Sequence, residues 1–401
     1  MTAEPSWPHR LLDVPRLRAA GQLPYPFRQY VVKVASRCNL ACDYCYVYQM
    51  ADRGWRAKPH LMSAAVVRAT AERIAEHAEA HGIRHVKVTL HGGEPLLAGR
   101  RFITGFAEQV RGALPGWARA ELGLQTNGTL LDESMLDALT ADQVRVGVSI
   151  DGDRSASGHR RYPGGEESYE AVARALALLR TDRYRRSYAG LLTVVSLDAD
   201  PGRTYAALLA HEPPMVDFLL PHGTWSVPPA GRHPDASTPY ADWLLEVFRH
   251  WAATPAPRPR VRLFQSILSL LLGGPSETET LGLAPADIIV VDTDGAISQV
   301  DTLSVAYDGA AETGLNVLTD PFDAALDQPG VVARQLGAQA LAARCIECTV
   351  RDVCGGGYYP HRFRAGDGFL NPSVYCPDLL RLITVIRDYL TGELDRLATR
   401  T

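Results

Sequence analysis

The sequence predicts an α/β fold: a parallel sheet with its helices outside, followed by a smaller C-terminal unit. Between Tyr30 and Pro221, six short apolar runs alternate with amphipathic stretches, the pattern of repeated β-α units. After Pro221 that alternation stops and the composition turns Pro- and Gly-rich. The seven cysteines follow the same division, three at positions 38–45 and four at 345–376.

The elements can be taken in order. Strands are predicted at "YVVKVAS", "HVKVTLHGG", "AELGLQTNG", "VRVGVSIDG", "YAGLLTVVS" and "VDFLLPHG". Each is rich in β-branched or other apolar residues, and most end in Gly, Ser, Asn or Asp. Helices are predicted at "SAAVVRATAERIAEHAEAHG", "RRFITGFAEQVRGAL", "DESMLDALTAD" and "SYEAVARALALLRTD", with Ser63 and Asp132 as N-caps. The stretch "PHGTWSVPPAGRHPDASTP" reads as a long loop, followed by helices at "YADWLLEVFRHWAA" and "VRLFQSILSLLLGG". A hairpin follows at "DIIVVDTDGAISQVDTL", turning on its Asp-Gly pair. A helix from about Pro377 to Ala398 closes the chain. The expected divisions are an extension at 1–28, the barrel at 29–222, a loop with bridging helices at 223–274, and the C-terminal unit at 275–401.

Bulk properties exclude several function classes. A net charge of −4 offers no electrostatic reason for a nucleic-acid or anionic-membrane partner. The longest apolar stretch, near "SILSLLLGG", is too short to span a bilayer, and the N-terminus lacks a signal peptide's apolar core. A cytoplasmic protein is expected. In a reducing compartment, clustered cysteines serve as metal ligands more often than as disulfides.

Cys38, Cys42 and Cys45 have C-x3-C-x2-C spacing directly after the first strand. Thiolates hold both zinc and iron–sulfur clusters, so ligand number matters. No cysteine follows Cys45 until Cys345. Three thiols on a [4Fe–4S] cluster leave one iron open to a ligand from outside the protein. The competing reading is a zinc knuckle completed by a histidine such as His60. Three further polar motifs, "HGGE", "QTNG" and "SIDG", also fall at strand C-termini, where reacting groups of parallel β/α folds gather.

The C-x3-C-x2-C loop after the first strand resembles the signature of the radical S-adenosylmethionine (SAM) enzymes. That resemblance implies a partial (β/α)6 TIM-like barrel in which the open iron chelates SAM, giving methionine and a 5′-deoxyadenosyl radical on reduction. An external donor such as flavodoxin or ferredoxin would supply the electron. It also implies that Gly92, Gly93 and Glu94 form the motif taking the SAM amino group, with Asn127 nearby. Ser149 and Asp151 would take ribose- and substrate-side positions, Arg161 would pair with the SAM carboxylate, and Tyr46 would lie beside adenine. His91 aligns with a substrate-facing position.

Cys345, Cys348, Cys354 and Cys376 can close a metal site completely, and a four-cysteine zinc site is the competing reading. The segment resembles a SPASM domain, the twitch-like Fe–S extension of peptide-modifying radical SAM enzymes, here with a closing helix. A full SPASM domain holds two auxiliary clusters. This chain has Tyr358 and Val300 where two ligands of the first would stand, and no cysteine before the hairpin. The resemblance therefore implies one auxiliary [4Fe–4S] cluster with all four irons ligated. Asp301, following Val300, stands where sulfatase-maturing relatives place the base that removes a substrate proton.

Wording across residues 24–390, including "FLLPHGTWSVPP" and "VCGGGYYPHRF", is similar to the FxsB-type branch, which forms three-residue cyclophanes in ribosomally made peptides. The expected substrate is a ribosomal precursor peptide. The 37 residues before Cys38 are too few for a fused winged-helix leader-binding domain, so the precursor is expected to dock directly, on the 221–240 loop, or through a separate partner. The alternatives are thioether or formylglycine formation, or a non-catalytic Fe–S or zinc protein.

Overall fold

The computed structural model describes residues 6–232, 237–255 and 257–399. Part of the expected docking loop, residues 233–236, lies outside the described residues, as do residues 1–5 of the N-terminal extension. The strands are β1 Gln29–Ala35, β2 His85–Gly92, β3 Arg119–Thr126, β4 Arg145–Ser149, β5 Tyr188–Val194, β6 Met215–Leu219, β7 Arg260–Val261, β8 Ile288–Val291, β9 Ala296–Ser298 and β10 Glu312–Asn316. They form one sheet in the order β10-β9-β8-β1-β2-β3-β4-β5-β6-β7. From β1 to β7 every neighbouring pair is parallel, so the ends of successive strands share a rim.

All six strands expected before Pro221 are present. Their inward positions alternate with half-exposed ones, as in β1, where Tyr30, Val32 and Val34 are buried. Helices Ala64–Ala80, Arg100–Ala113, Glu133–Ala141 and Tyr169–Leu179 cross between consecutive strands. Ser63 Oγ accepts from the Val66 N–H at 3.3 Å and Asp132 Oδ1 from the Met135 N–H at 2.8 Å, the N-cap bonds expected of them. A fifth crossover helix, Pro201–Leu209, was not legible because it opens with Pro201-Gly202; Asp200 caps it through the Arg203 N–H.

The C-terminal hairpin extends the same sheet rather than standing apart from it. β8 pairs in parallel with β1, and β9 returns antiparallel through a turn at Gly295, where φ is 86°. This pairing brings Asp301, just past β9, beside Lys33 on β1. A second apolar cluster, including Trp7, Val300, Leu303, Tyr359, Phe363 and Phe369, packs behind it. Val300 and Tyr358, where the resemblance would put two cluster ligands, are thus absorbed into packing and hydrogen bonding: Val300 is 4% exposed and the Tyr358 hydroxyl bonds Thr302 Oγ1. No described helix is long and apolar enough to cross a membrane.

Candidate active site

The loop after β1 carries Cys38, Cys42 and Cys45 onto the sheet's C-terminal rim. There they line a cavity of about 180 Å³ with the ends of β2 (His91, Gly92, Gly93), β3 (Asn127), β4 (Ser149) and β6 (His222). The loop is held at one end by the Ala41 N–H, which donates to the Arg161 carbonyl at 2.7 Å. The two glycines permit a close approach. A Cβ on Gly93 would sit 2.0 Å from Tyr48 Oη and 2.3 Å from the Arg37 carbonyl oxygen; one on Gly92 would sit 2.1 Å from that of Ala35. Their first task is to seat the end of β2 against the cysteine loop.

Burial pushes the Cys38 thiol up to about 11 and those of Cys42 and Cys45 upward. Donors that favour thiolate surround them. The Leu40 N–H and Asn127 Nδ2–H reach Cys38 Sγ at 3.4 and 3.6 Å, and Arg160 opposes the effect of burial at Cys42 and Cys45.

Two of the expected residues, Arg161 and Glu94, are not on the cavity wall. Arg161 is exposed, its guanidinium spent on the Gly158 and Gly165 carbonyls. Arg160 is the arginine on the cavity wall. It is 8% exposed, donates to Tyr44 Oη at 2.7 Å and lies 3.9 Å from Asp151 Oδ2. The two residues are neighbours on a bent segment, so only one can face inward. Glu94, expected to meet an ammonium group, is fully buried and is not on the cavity wall. Its carboxylate accepts from Thr126 Oγ1 at 2.7 Å and from the Asn127 and Leu96 N–H groups at 2.8 and 3.0 Å. Burial pushes its pKa up, and these donors oppose the shift. Glu94 thus ties β2 to β3.

The remaining expected residues sit on or just behind the wall. Asn127 bonds Asn39 and Thr129, and Ser149 Oγ accepts from Gln125 Nε2 at 2.9 Å. Asp151 lies behind, accepting from the Tyr44 hydroxyl and from the Val194 N–H. Tyr46 lines the cavity, packs edge-on against His222 with ring centroids 4.9 Å apart, and donates from its hydroxyl to Asp301 Oδ2 at 2.7 Å.

Asp301 is therefore reached through Tyr46; it is buried and not itself on the wall. Lys33 Nζ lies 3.5 Å from its Oδ2 and 3.7 Å from Asp292 Oδ1. Burial pushes the Asp301 carboxyl up, but Lys33, then His91, the Tyr46 bond and His222 together more than offset this and hold it below the ordinary carboxylate value. Burial lowers His91, and it pulls His222 down to about 4, so both imidazoles are neutral at pH 7. Sequence reasoning missed Lys33, Arg160, Tyr44 and His222. Only His222, at the C-terminal end of the sixth strand, carried a positional signal.

The cavity opens into a groove of about 700 Å³, sharing Tyr44, Met50, Val194, Pro221 and His222 with it. The other groove wall includes Val227, Pro228 and Pro229 of the Pro-rich loop.

The donor sets fit the expected groups. His91 Nδ1 and Arg160 Nε, both on residues of the cavity wall, are buried without a hydrogen-bond partner among the described residues, which suits a polar ligand. All seven cysteines are free thiols. The four C-terminal ones act on one another electrostatically: Cys376 and Cys348 on Cys345, Cys376 and Cys345 on Cys354, and Cys348 on Cys376. Among the described residues, only His77, His81 and Asp323 gather three ligand atoms within 4.8 Å, and neither cysteine set does. One tetrahedral zinc with about 2.3 Å bonds needs sulfurs about 3.8 Å apart. The spacing of neither set suits a single tetrahedral zinc.

Residues 32–205 match the family described as the radical SAM superfamily. The chain is 26% identical over 286 residues to the cysteine-type anaerobic sulfatase-maturating enzyme of Clostridium perfringens, covering 69% of this chain and 74% of that one. It is 25% identical over 366 residues to the serine-type enzyme of Klebsiella aerogenes, covering 90% and 86%. Among solved structures, native anSMEcpe with bound AdoMet and Cp18Cys peptide superposes with a TM-score of 0.77 at 22% identity, over 93% of this chain and 99% of that one. Streptococcus suis SuiB bound to its precursor peptide SuiA gives 0.56 at 13% identity, over 90% and 78%. The structural likenesses establish a shared fold.

Proposed function

We propose that this chain, a radical SAM superfamily enzyme similar to the anaerobic sulfatase-maturating enzymes, oxidises the β-carbon of a residue in a ribosomally made peptide. The product we propose is a cyclophane, in which an aromatic ring carbon joins the β-carbon of a residue two positions later. Formylglycine formation is the second reading, favoured by the sulfatase-maturating relatives.

One observation carries the proposal: the cysteine-lined cavity continues into a groove large enough for a peptide segment, and Tyr46 stands on its wall with an ionised carboxylate behind it. SAM and a [4Fe–4S] cluster on Cys38, Cys42 and Cys45 would supply the radical that removes a β-hydrogen. Arg160, rather than Arg161, would pair with a carboxylate in the cavity, and Asn127 and Ser149 would orient polar groups beside it. Leu40, Leu192, Val194 and Leu219 exclude water around them. Once the carbon radical has added to the ring, rearomatisation loses one proton and one electron: the proton passes to Tyr46 Oη as the tyrosine gives its own to Asp301, which Lys33 keeps ionised, and the electron would be taken by the auxiliary group on the C-terminal cysteines. Cys345, Cys348, Cys354 and Cys376 would hold one auxiliary cluster for electron transfer or support, with flavodoxin or ferredoxin as external donor.

Co-expression with a neighbouring small open reading frame, followed by tandem mass spectrometry, tests this. A peptide lighter by two hydrogens, unreactive toward hydrazide and resistant to fragmentation across three residues, is the expected result. A hydrazide-reactive aldehyde would establish the second reading, and an unchanged peptide would overturn both.

A further inference from the structure

Arg362 is a buried cation without a carboxylate partner. It is 8% exposed, and among the described residues no acidic side chain lies within 4.0 Å of it. The guanidinium instead donates to backbone carbonyls, with Nη2 at 2.5 Å from the Gly355 oxygen and 2.6 Å from that of Gly357, and Nε at 3.1 Å from the latter.

That cradle is built for it by the residues immediately after Cys354. Gly355, Gly356 and Gly357 take φ values of 59°, 79° and 73°, a left-handed run that side chains resist. A Cβ on Gly356 would sit 3.0 Å from Arg362 Cζ, and one on Gly355 would sit 1.8 Å from the Gly282 carbonyl oxygen. The backbone is thus wrapped tightly around a charged group, next to a cysteine.

A buried guanidinium that meets only neutral carbonyls leaves its charge uncompensated, and this is costly unless an anion lies close. Cys354 immediately precedes the turn whose Gly355 and Gly357 carbonyls hold the guanidinium, so an anionic group held by that thiol is what the geometry offers to the uncompensated charge.

We propose that Arg362 is the internal counter-ion of the anionic group held by Cys345, Cys348, Cys354 and Cys376, and that it also fixes the Gly355–Gly357 turn that presents Cys354. The inference rests on the auxiliary-cluster reading above. A cluster with four thiolates is anionic and gains negative charge on reduction, so a fixed neighbouring cation favours the reduced form. Arg362 is a positioning residue in this role: it touches neither substrate nor SAM.

The test uses the full-length reconstituted chain with Cys38, Cys42 and Cys45 replaced by alanine, so that only the C-terminal thiols hold iron. Iron content and an EPR-monitored redox titration are compared for Arg362 and its Gln and Lys variants. The expected result is about four irons per chain with Arg362, a more negative midpoint for Arg362→Gln, and a midpoint near the original for Arg362→Lys. Loss of the cluster in Arg362→Gln with retention in Arg362→Lys supports the same role. An unchanged midpoint in an iron-loaded Arg362→Gln protein would overturn it, as would equal loss of the cluster from both variants. Absence of iron from the chain that retains Arg362 would remove the auxiliary cluster itself, while leaving SAM cleavage by the native enzyme intact.

Discussion

Replacing Lys33 by methionine isolates the electrostatic support of Asp301. The Lys33 side chain is 15% exposed and that of Asp301 9%, with 3.5 Å between the charged atoms. Removing one member of a buried pair costs about 3–5 kcal/mol, because the remaining charge stays desolvated. Here the lower end applies, about 3 kcal/mol, since the Tyr46 hydroxyl bond to Asp301 survives. The sign with pH follows from linkage. In the native chain the Asp301 pKa is depressed, so its contribution is complete above the ordinary carboxylate value and is lost only as pH falls through the folded pKa. Without Lys33, burial is unopposed by its main counter-charge and the folded pKa moves up. The stability deficit is then largest above the variant's raised folded pKa and shrinks as pH falls through it and the carboxyl takes up a proton. Urea unfolding of the reconstituted protein at several pH values measures this. Peptide modification should lose its acid limb at higher pH in the variant, while 5′-deoxyadenosine formation persists. A pH-independent deficit, or one below about 1 kcal/mol, would refute the reasoning.

Three further outcomes follow from the same geometry. Arg160→Met should weaken SAM binding at least about tenfold, because a buried charge-assisted partner is lost, whereas Arg161→Met should change both binding and stability little; isothermal titration of the reconstituted proteins separates them. Glu94→Gln replaces an acceptor of three hydrogen bonds with a group that must turn a donor toward one of them, at a cost of about 1–3 kcal/mol, read by unfolding. Tyr46→Phe should slow peptide modification by about 10²-fold or more, with little effect on SAM cleavage rate, as expected for loss of a proton-transfer group; equal loss of both activities would assign Tyr46 to SAM positioning instead.

The parts of this molecule legible in the sequence were those with local causes. Six strands and four of the five helices that cross between them announced themselves through apolar periodicity and side-chain caps such as Ser63 and Asp132. β7, only two residues long, and β10, antiparallel to β9, exist through pairing with neighbours and carry no pattern of their own. Side-chain direction was the other blind spot. Nothing in "HRRYP" says that Arg160 turns inward and Arg161 outward; that choice is made by the bend after β4 and by Tyr44, more than a hundred residues upstream. Glu94 could be read as a site carboxylate from "GGE", but not as an internal brace, because its partners arrive from β3. The Lys33–Asp301–Tyr46 cluster was invisible for a similar reason: β8 must pair with β1 before those residues meet.

Anaerobic incubation of the reduced, reconstituted chain with SAM, quantifying 5′-deoxyadenosine beside a Cys38→Ala control, tests the radical chemistry most directly. The native chain should yield 5′-deoxyadenosine and the variant none above background. Equal yields from the two proteins, or none from an iron-loaded native chain, would contradict it.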